Sequence, residues 1–418
     1  MGVRGAVRAR LGDLRSVVAI RPFAIYQTGA VAMTMGFWMQ RVAVGWLMWR
    51  MTGSETWLGL TAFAELFPAI ATGLIGGTLA DRSGAPRVLM AGNLVLSALS
   101  AVMFALGIAG LLTPWVLLAM MATIGSVAGL IVPSRLAMAS WLAPRALLPA
   151  ALAVNSTAFN LSRFLGPALA GALIVVMPAE WVFVIGATGY ATLAASLWRI
   201  RAVPPVIVPP PRPAGDNGGA WAVIRKMPQM PVITGVILIQ FALGTLVRPA
   251  AELFPAFAEV AFGRGAGALG LLNAALGVGS ILGALALARP RPPAAALRLI
   301  LVSAVVFCLT LPAFAAAPGF ALALALLVVH GVAMSGANIA ALAFVQIHSP
   351  PERLGRILSL YAIVFRSGPA LGAFVFGLLA ERAGLASAAG LFGAIGLVAV
   401  LGLGAFVRRR YRAGGLAL

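Results

Sequence analysis

Six charged side chains interrupt stretches that otherwise read as hydrocarbon: the acids Glu65 and Glu252 and the arginines Arg41, Arg163, Arg248 and Arg366. A charge at such depth is costly, so it faces a cavity or a partner. Two chemistries are open to this set. A carboxyl beside an arginine can take up and release a proton, and an arginine can hold an anionic group. The same residues can equally stand as permanent structural ion pairs. Arg41 and Glu65 fall at matching depths, roughly 10–12 Å below one surface at the helical rise per residue, so antiparallel neighbours could pair there. Arg248 and Glu252, four apart, would share one face of an α-helix. Glu252 and Glu65 are thus the candidate proton carriers. Trp38, Gln40, Arg41, Trp46, Gln240, Arg248 and Asn338 are the candidate lining of a polar cavity, where the two tryptophans could stack on an aromatic substrate or simply pack. Arg163 and Arg366, each just before a Gly-Pro pair, are the central arginines; freed carbonyls could satisfy them, or an acidic substrate could.

The elements that must carry these residues follow from composition. The chain has 418 residues, 61% apolar and 10% charged. Soluble domains carry about 25% charged residues. Apolar runs recur from about Phe23 to Phe406, each long enough for a bilayer, which takes about 20 helical residues. No alternating polar pattern suggests outer-membrane strands. Twelve helical spans are expected, at 23–49, 58–79, 88–111, 115–134, 148–176, 181–198, 231–257, 268–288, 298–316, 319–346, 356–379 and 386–406. The sole cysteine, Cys308, lies in an apolar run, and His330 and His348 form no metal-ligand cluster. No cleavable signal peptide is expected.

A net charge of +20 could suggest nucleic acid, but its distribution reads as orientation. With twelve spans, 23 of the 30 basic residues fall on the side that holds the N-terminus. The positive-inside rule then places both termini in the cytoplasm, and Trp49, Trp57, Trp115 and Trp181 mark outer span ends. The expected organisation is a cytoplasmic N-terminal segment (1–22), a six-helix bundle (23–198), a Pro-rich cytoplasmic linker (199–230), a second bundle (231–406) and a basic tail (407–418). Gly-Pro-Ala-Leu at 166–169 recurs at 368–371, and Leu-Gly-Leu at 58–60 recurs at 269–271, as parallel six-helix repeats would require.

Small residues four apart let helices approach closely. Gly73 with Gly77, Gly166 with Ala170, Gly279 with Gly283 and Gly368 with Gly372 place such pairs on spans 2, 5, 8 and 11. Gly77-Thr-Leu-Ala-Asp81-Arg82-Ser-Gly84 resembles the signature between helices 2 and 3 of the major facilitator superfamily. Arg87 stands one place later than the usual basic residues. Gly166-Pro167-Ala-Leu-Ala170-Gly171 is similar to the helix-5 antiporter signature, with Ala170 where a glycine is usual. Stretches at 38–54, 154–171 and 248–279 resemble the bacterial branch of enterobactin exporters and transmembrane secretion effectors.

The resemblance implies an all-α membrane protein of twelve transmembrane helices in two pseudosymmetric six-helix bundles. It puts spans 2, 5, 8 and 11 at the contact between halves, and makes Gly77, Asp81, Arg82, Gly84 and Arg87 a cytoplasmic latch. The expected activity is secondary transport, most simply proton-coupled export of a small amphipathic or aromatic compound by alternating access. A lysophospholipid flippase of the same fold, a non-transporting sensor or scaffold, and uptake are the alternatives. No nucleotide-binding G-x-x-x-x-G-K-[ST] run is visible, so an ion gradient, without a cofactor or metal, is the expected energy source. No enzymatic site is evident. The expected partners are a small molecule and the lipid of a bacterial inner membrane; nucleic acid is not expected, and a monomer is.

Overall fold

In a bilayer each backbone amide must find its partner within the chain, so apolar runs of this length wind into long helices, and prolines and glycines mark where they start and stop. The computed structural model describes residues 12–206, 225, 227–287, 291–350 and 353–414. Half of the expected N-terminal segment and most of the Pro-rich linker lie outside these residues. Helices run as α1 (Arg21–Thr52), α2 (Glu55–Ser83), α3 (Ala85–Ile108), α4 (Pro114–Leu142), α5 (Leu148–Val176) and α6 (Trp181–Arg199). The second set is α7 (from Pro231), α8 (Ala266–Leu287), α9 (Pro293–Ala315), α10 (Phe320–His348), α11 (Leu354–Ala383) and α12 (Leu385–Arg412). Proline opens α4, α7 and α9, where its missing donor costs nothing.

Among the described residues, ten helices are long and apolar enough to cross a membrane, eleven if the two parts of α2 form one span. At 32 residues α1 is also long enough, but Gln27, Thr34, Gln40 and Arg41 break its apolar run. The observed helices overrun several expected ends. α4 continues through Pro133 to Leu142, so Arg135 sits inside a helix, not in a loop. α12 continues to Arg412, so most of the basic tail is helical.

α7 departs furthest from expectation. Its α-helical part ends at Leu246, followed by a 3₁₀ segment (Arg248–Leu253), one α turn (Phe254–Ala256) and a π segment (Phe257–Ala261). Pro249 and Pro255 remove backbone donors within this stretch, which accounts for the loss of regular α-helix.

By packing, the chain divides into two compact units: residues 1–47 with 68–211, and residues 48–67 with 212–418. In the first unit α3 packs on α4 and α6. Glycines let α1 approach its neighbours: a Cβ at Gly36 would press on Gly186 of α6, and one at Gly29 on Leu193 and Ser196. In the second unit α10 packs on α8 and α9, α7 on α11 and α12, and α9 on α12. The early turns of α2 belong to this second unit and lie on α11, where a Cβ at Gly59 would strike the Ala373 backbone.

Candidate functional site

The helix-5 signature builds the first site. Gly166, Pro167, Ala170 and Gly171 form one buried stripe on α5. A Cβ at Gly166 would meet the Trp38 side chain at 2.7 Å, so this glycine is what lets α1 lie against α5 with the indole between them. Trp38 then becomes a platform for cations. The Arg163 guanidinium lies 5.5 Å from its ring centroid and that of Arg41 lies 5.6 Å away. Phe159 meets the indole edge-on at 6.2 Å, and Arg135 lies 5.3 Å over Phe159. Three guanidiniums thus share two aromatic rings, each contact attractive through the ring quadrupole. The Trp38 Nε1 hydrogen is buried and makes no hydrogen bond among the described residues.

Gln40, expected in the cavity, is 3% exposed and spends its amide on α3. It accepts from Ser100 Oγ at 2.9 Å and donates to Met103 Sδ at 3.8 Å. Trp46 is half-buried on α1.

In the second unit the expected Gln240, Arg248 and Asn338 come together. Arg248 donates from Nη2 to Gln240 Oε1 at 2.9 Å and to Asn338 Oδ1. Gln240 in turn donates from Nε2 to the Ala337 carbonyl at 2.9 Å. Phe365 of α11 supports the guanidinium from its face, 4.1 Å from the ring centroid. The shared α-helical face expected for Arg248 and Glu252 does not exist. This segment winds at three residues per turn, and positions four apart no longer stack. Glu252 is half-buried there, Glu65 is buried on α2, and Arg366 is half-buried beside Phe365.

The glycines of spans 8 and 11 meet neighbours inside the second unit: Gly279 and Gly283 face Val328 and Val332 of α10, and Gly368 and Gly372 face Gly244 and Thr245 of α7. Gly73 and Gly76 approach Gly129 and Leu130 of α4 in the first unit.

The signature around Asp81 closes α2, and Gly84 at φ 83° caps α3. Its echo, Gly377 to Gly384, closes α11 with Gly384 at φ 86°. There Glu381 accepts from Ser54 Oγ at 2.6 Å and from the Thr56 amide at 3.0 Å. Nearby, Trp49 Nε1 donates to Glu259 Oε2 at 2.7 Å. Glu259, Arg135, Phe159, Tyr361 and Phe365 are the residues of these contacts that spacing alone had not singled out; the acid of the echo, Glu381, stood out in the repeated pattern. The four-residue step from Tyr361 to Phe365 was a usable signal, since it puts both rings on one helix face.

Comparison with known proteins relates the chain, by sequence and by fold, to transporters. The family model described as transmembrane secretion effector matches residues 16–413. The enterobactin exporter EntS of Citrobacter koseri is 28% identical over 254 residues, 60% of this chain and 60% of that protein. EntS of Escherichia coli O139:H28 is 26% identical over a stretch of the same length. The chain thus spans 60% of the length of these curated relatives. The nucleoside transporter NupG superposes with a TM-score of 0.69 at 14% identity, over 92% of this chain and 98% of that one. A bacterial homologue of the human lysosomal transporter Spinster, inward-facing and unoccupied, gives a TM-score of 0.62 at 15% identity, over 94% and 95% of the two chains. At such identities the superpositions show the fold alone.

Proposed function

The chain belongs to the transmembrane secretion effector family, and on that premise we propose that it is a proton-coupled exporter of small amphipathic or aromatic molecules. It is a multi-pass membrane transporter of the major facilitator type and not an enzyme. The observation that carries the finer reading is the platform of Trp38 and Phe159 with Arg41, Arg135 and Arg163 around it. Rings and guanidiniums in one place suit a cargo with a flat apolar body and polar substituents. Export is supported by the helix-5 signature and by the exporters among the relatives. The basic excess supports cytoplasmic termini, and the bacterial relatives support an inner membrane.

Proton coupling falls to Glu252 or Glu65, the acids set deep among the spans. A carboxyl that alternates between an arginine partner and a protonated state changes the charge inside the protein by one, which an ion gradient can drive. The latch around Asp81 would hold the cytoplasmic ends while the cavity faces outward and release them when it opens inward.

The test uses purified protein in liposomes with an imposed pH gradient and a panel of aromatic dyes and siderophores. Movement of at least one cargo should follow the gradient and stop when a protonophore collapses it. Gradient-independent behaviour of the whole panel overturns the reading. Replacing Glu252 with Gln should flatten the dependence of transport on pH; an unchanged profile eliminates Glu252 as the carrier and leaves Glu65.

A further inference from the structure

We propose that the second unit carries a seat for one anionic phospholipid between α9 and α12, with an acyl chain in an apolar groove and the phosphate held by Arg298 and Arg408. The inference goes beyond the transporter reading and requires only that the chain spans a membrane.

The groove has a volume of about 240 Å³. Val302, Val305 and Val306 of α9 line one side of it, and Leu401, Ala405 and Arg408 of α12 line the other. It stays open because α12 is small where it faces α9. A Cβ at Gly404 would already meet Leu301 Cδ2 at 2.9 Å, and Ala405 adds no more than a methyl group. Val302 is 53% exposed and Leu401 56%, so the groove opens away from the core and toward the hydrocarbon of a bilayer. An acyl chain lying there gains dispersion contacts that an unfilled groove would forfeit.

The end of the groove selects the lipid. Along α9, Arg298 precedes Val302 by four residues and Val305 by seven. Along α12, Arg408 follows Leu401 by seven residues and Ala405 by three. These steps keep each arginine on the groove-lining face of its helix. The two helices run antiparallel: Gly404 lies against Leu301, and Gly396 lies against Cys308. One turn beyond the first of these contacts, the same register brings Arg408 beside Leu297 and Arg298. Two arginines from separate helices thus flank one mouth of the groove. In the orientation proposed above this mouth lies in the cytoplasmic leaflet, and Arg412, one turn further, continues the stripe.

Both arginines are exposed, and neither makes a hydrogen bond or an ion pair among the described residues. Like charges at one opening repel each other until an anion lies between them. Long apolar stems let both heads reach headgroup level, where the guanidinium fork matches phosphate oxygens. A choline headgroup would bring a second cation to the same place; a glycerol headgroup would not.

Native mass spectrometry of the purified full-length chain in detergent tests this, with phosphatidylglycerol and phosphatidylcholine of identical chains. The wild type should retain one phosphatidylglycerol about tenfold more tightly than phosphatidylcholine. Arg298→Gln and Arg408→Gln should each reduce that preference several-fold. Arg410→Gln should leave it intact, because Arg410 lies on the far side of α12, over Phe406. Ala405→Leu fills the groove without altering charge and should displace the lipid. Should one arginine variant fail to fold, as read by its thermal transition, the other and Ala405→Leu carry the test. Equal retention of the two lipids by the wild type overturns the seat. So does an equal loss in Arg410→Gln and Arg408→Gln, which would mean general attraction to a basic helix end. Unaltered retention in Ala405→Leu overturns it too, as does displacement of the lipid by an equal concentration of glycerophosphoglycerol, which carries the headgroup without the chains.

Discussion

The pattern Gly-x-Leu-Ala-acid-Arg-x-Gly occurs at 77–84 and again at 377–384, and the two copies share a local fold but not a neighbourhood. Each closes a long helix, and each final glycine takes a positive φ, 83° at Gly84 and 86° at Gly384. Even the register beyond is the same: Ala85, Val88 and Leu89 are buried after the first copy, and Leu385, Ala388 and Ala389 after the second. The surroundings differ. A Cβ at Gly77 would meet nothing within 4 Å, whereas one at Gly377 would strike the backbone of Glu55 and Thr56. The second copy grips a turn, through Glu381 to Ser54 and Thr56. The pattern therefore encodes a helix break of defined shape, and what that break holds depends on the chain delivered to it.

The sharpest way to separate the two copies is valine at the first glycine of each. In Gly377→Val the added atoms meet backbone at Glu55, which cannot rotate away as a side chain could. The cost should reach the upper end of the roughly 1–3 kcal/mol typical of overpacking. Gly77→Val should stay within about 0.5 kcal/mol, as at other open surface positions. Thermal unfolding of the two purified variants reads the contrast. Equal losses would mean that the second copy is not docked on the start of α2.

The repeat of this pattern was visible in the sequence, yet its role was not, because nothing at 377–384 points to residues 54–56. That gap recurs elsewhere. The helices were legible because lipid leaves the backbone no other solution, and Gly166 was legible as a small residue on α5. That it makes room for Trp38 needed coordinates. Pro133 and Arg135 read as the end of a span because proline usually ends a helix; inside lipid the helix runs on, and Arg135 moves from loop to site. The opposite error befell Arg248 and Glu252. An α-helical spacing was assumed across Pro249 and Pro255, where the backbone is 3₁₀ and then π. Gln240, Arg248 and Asn338 were grouped as polar candidates and lie together in the structure, whereas nothing in the apolar run of α11 ties Phe365 to Arg248.

The shared half of the comparison has its own test, of intermediate size. Alanine at Gly84 and at Gly384 would adopt a positive φ that L-residues avoid, with open space around each Cβ. Backbone strain is then the whole effect, and about 1–2 kcal/mol is expected at each position. Matching drops in the unfolding transition would sharpen the claim that the two breaks are one structure used twice. A drop at one position alone would break it.

The smallest effect concerns the acid. Glu381 accepts from a hydroxyl and from a backbone amide on the same oxygen, and it is exposed, so solvent weakens what the contacts contribute. Loss of global stability on Glu381→Ala should accordingly be slight, and the thermal transition is the wrong place to look. Local opening is the better measure, because amide exchange at Thr56 depends on how often its bond to Glu381 is broken. Exchange there should quicken by about threefold to tenfold in Glu381→Ala, within the range of a charge-assisted bond discounted for exposure. Asp81→Asn, which alters the acid of the other copy, should leave Thr56 exchange unchanged. If both variants quicken it alike, the two breaks respond as one element, and the distinction between a shared fold and separate neighbourhoods is lost.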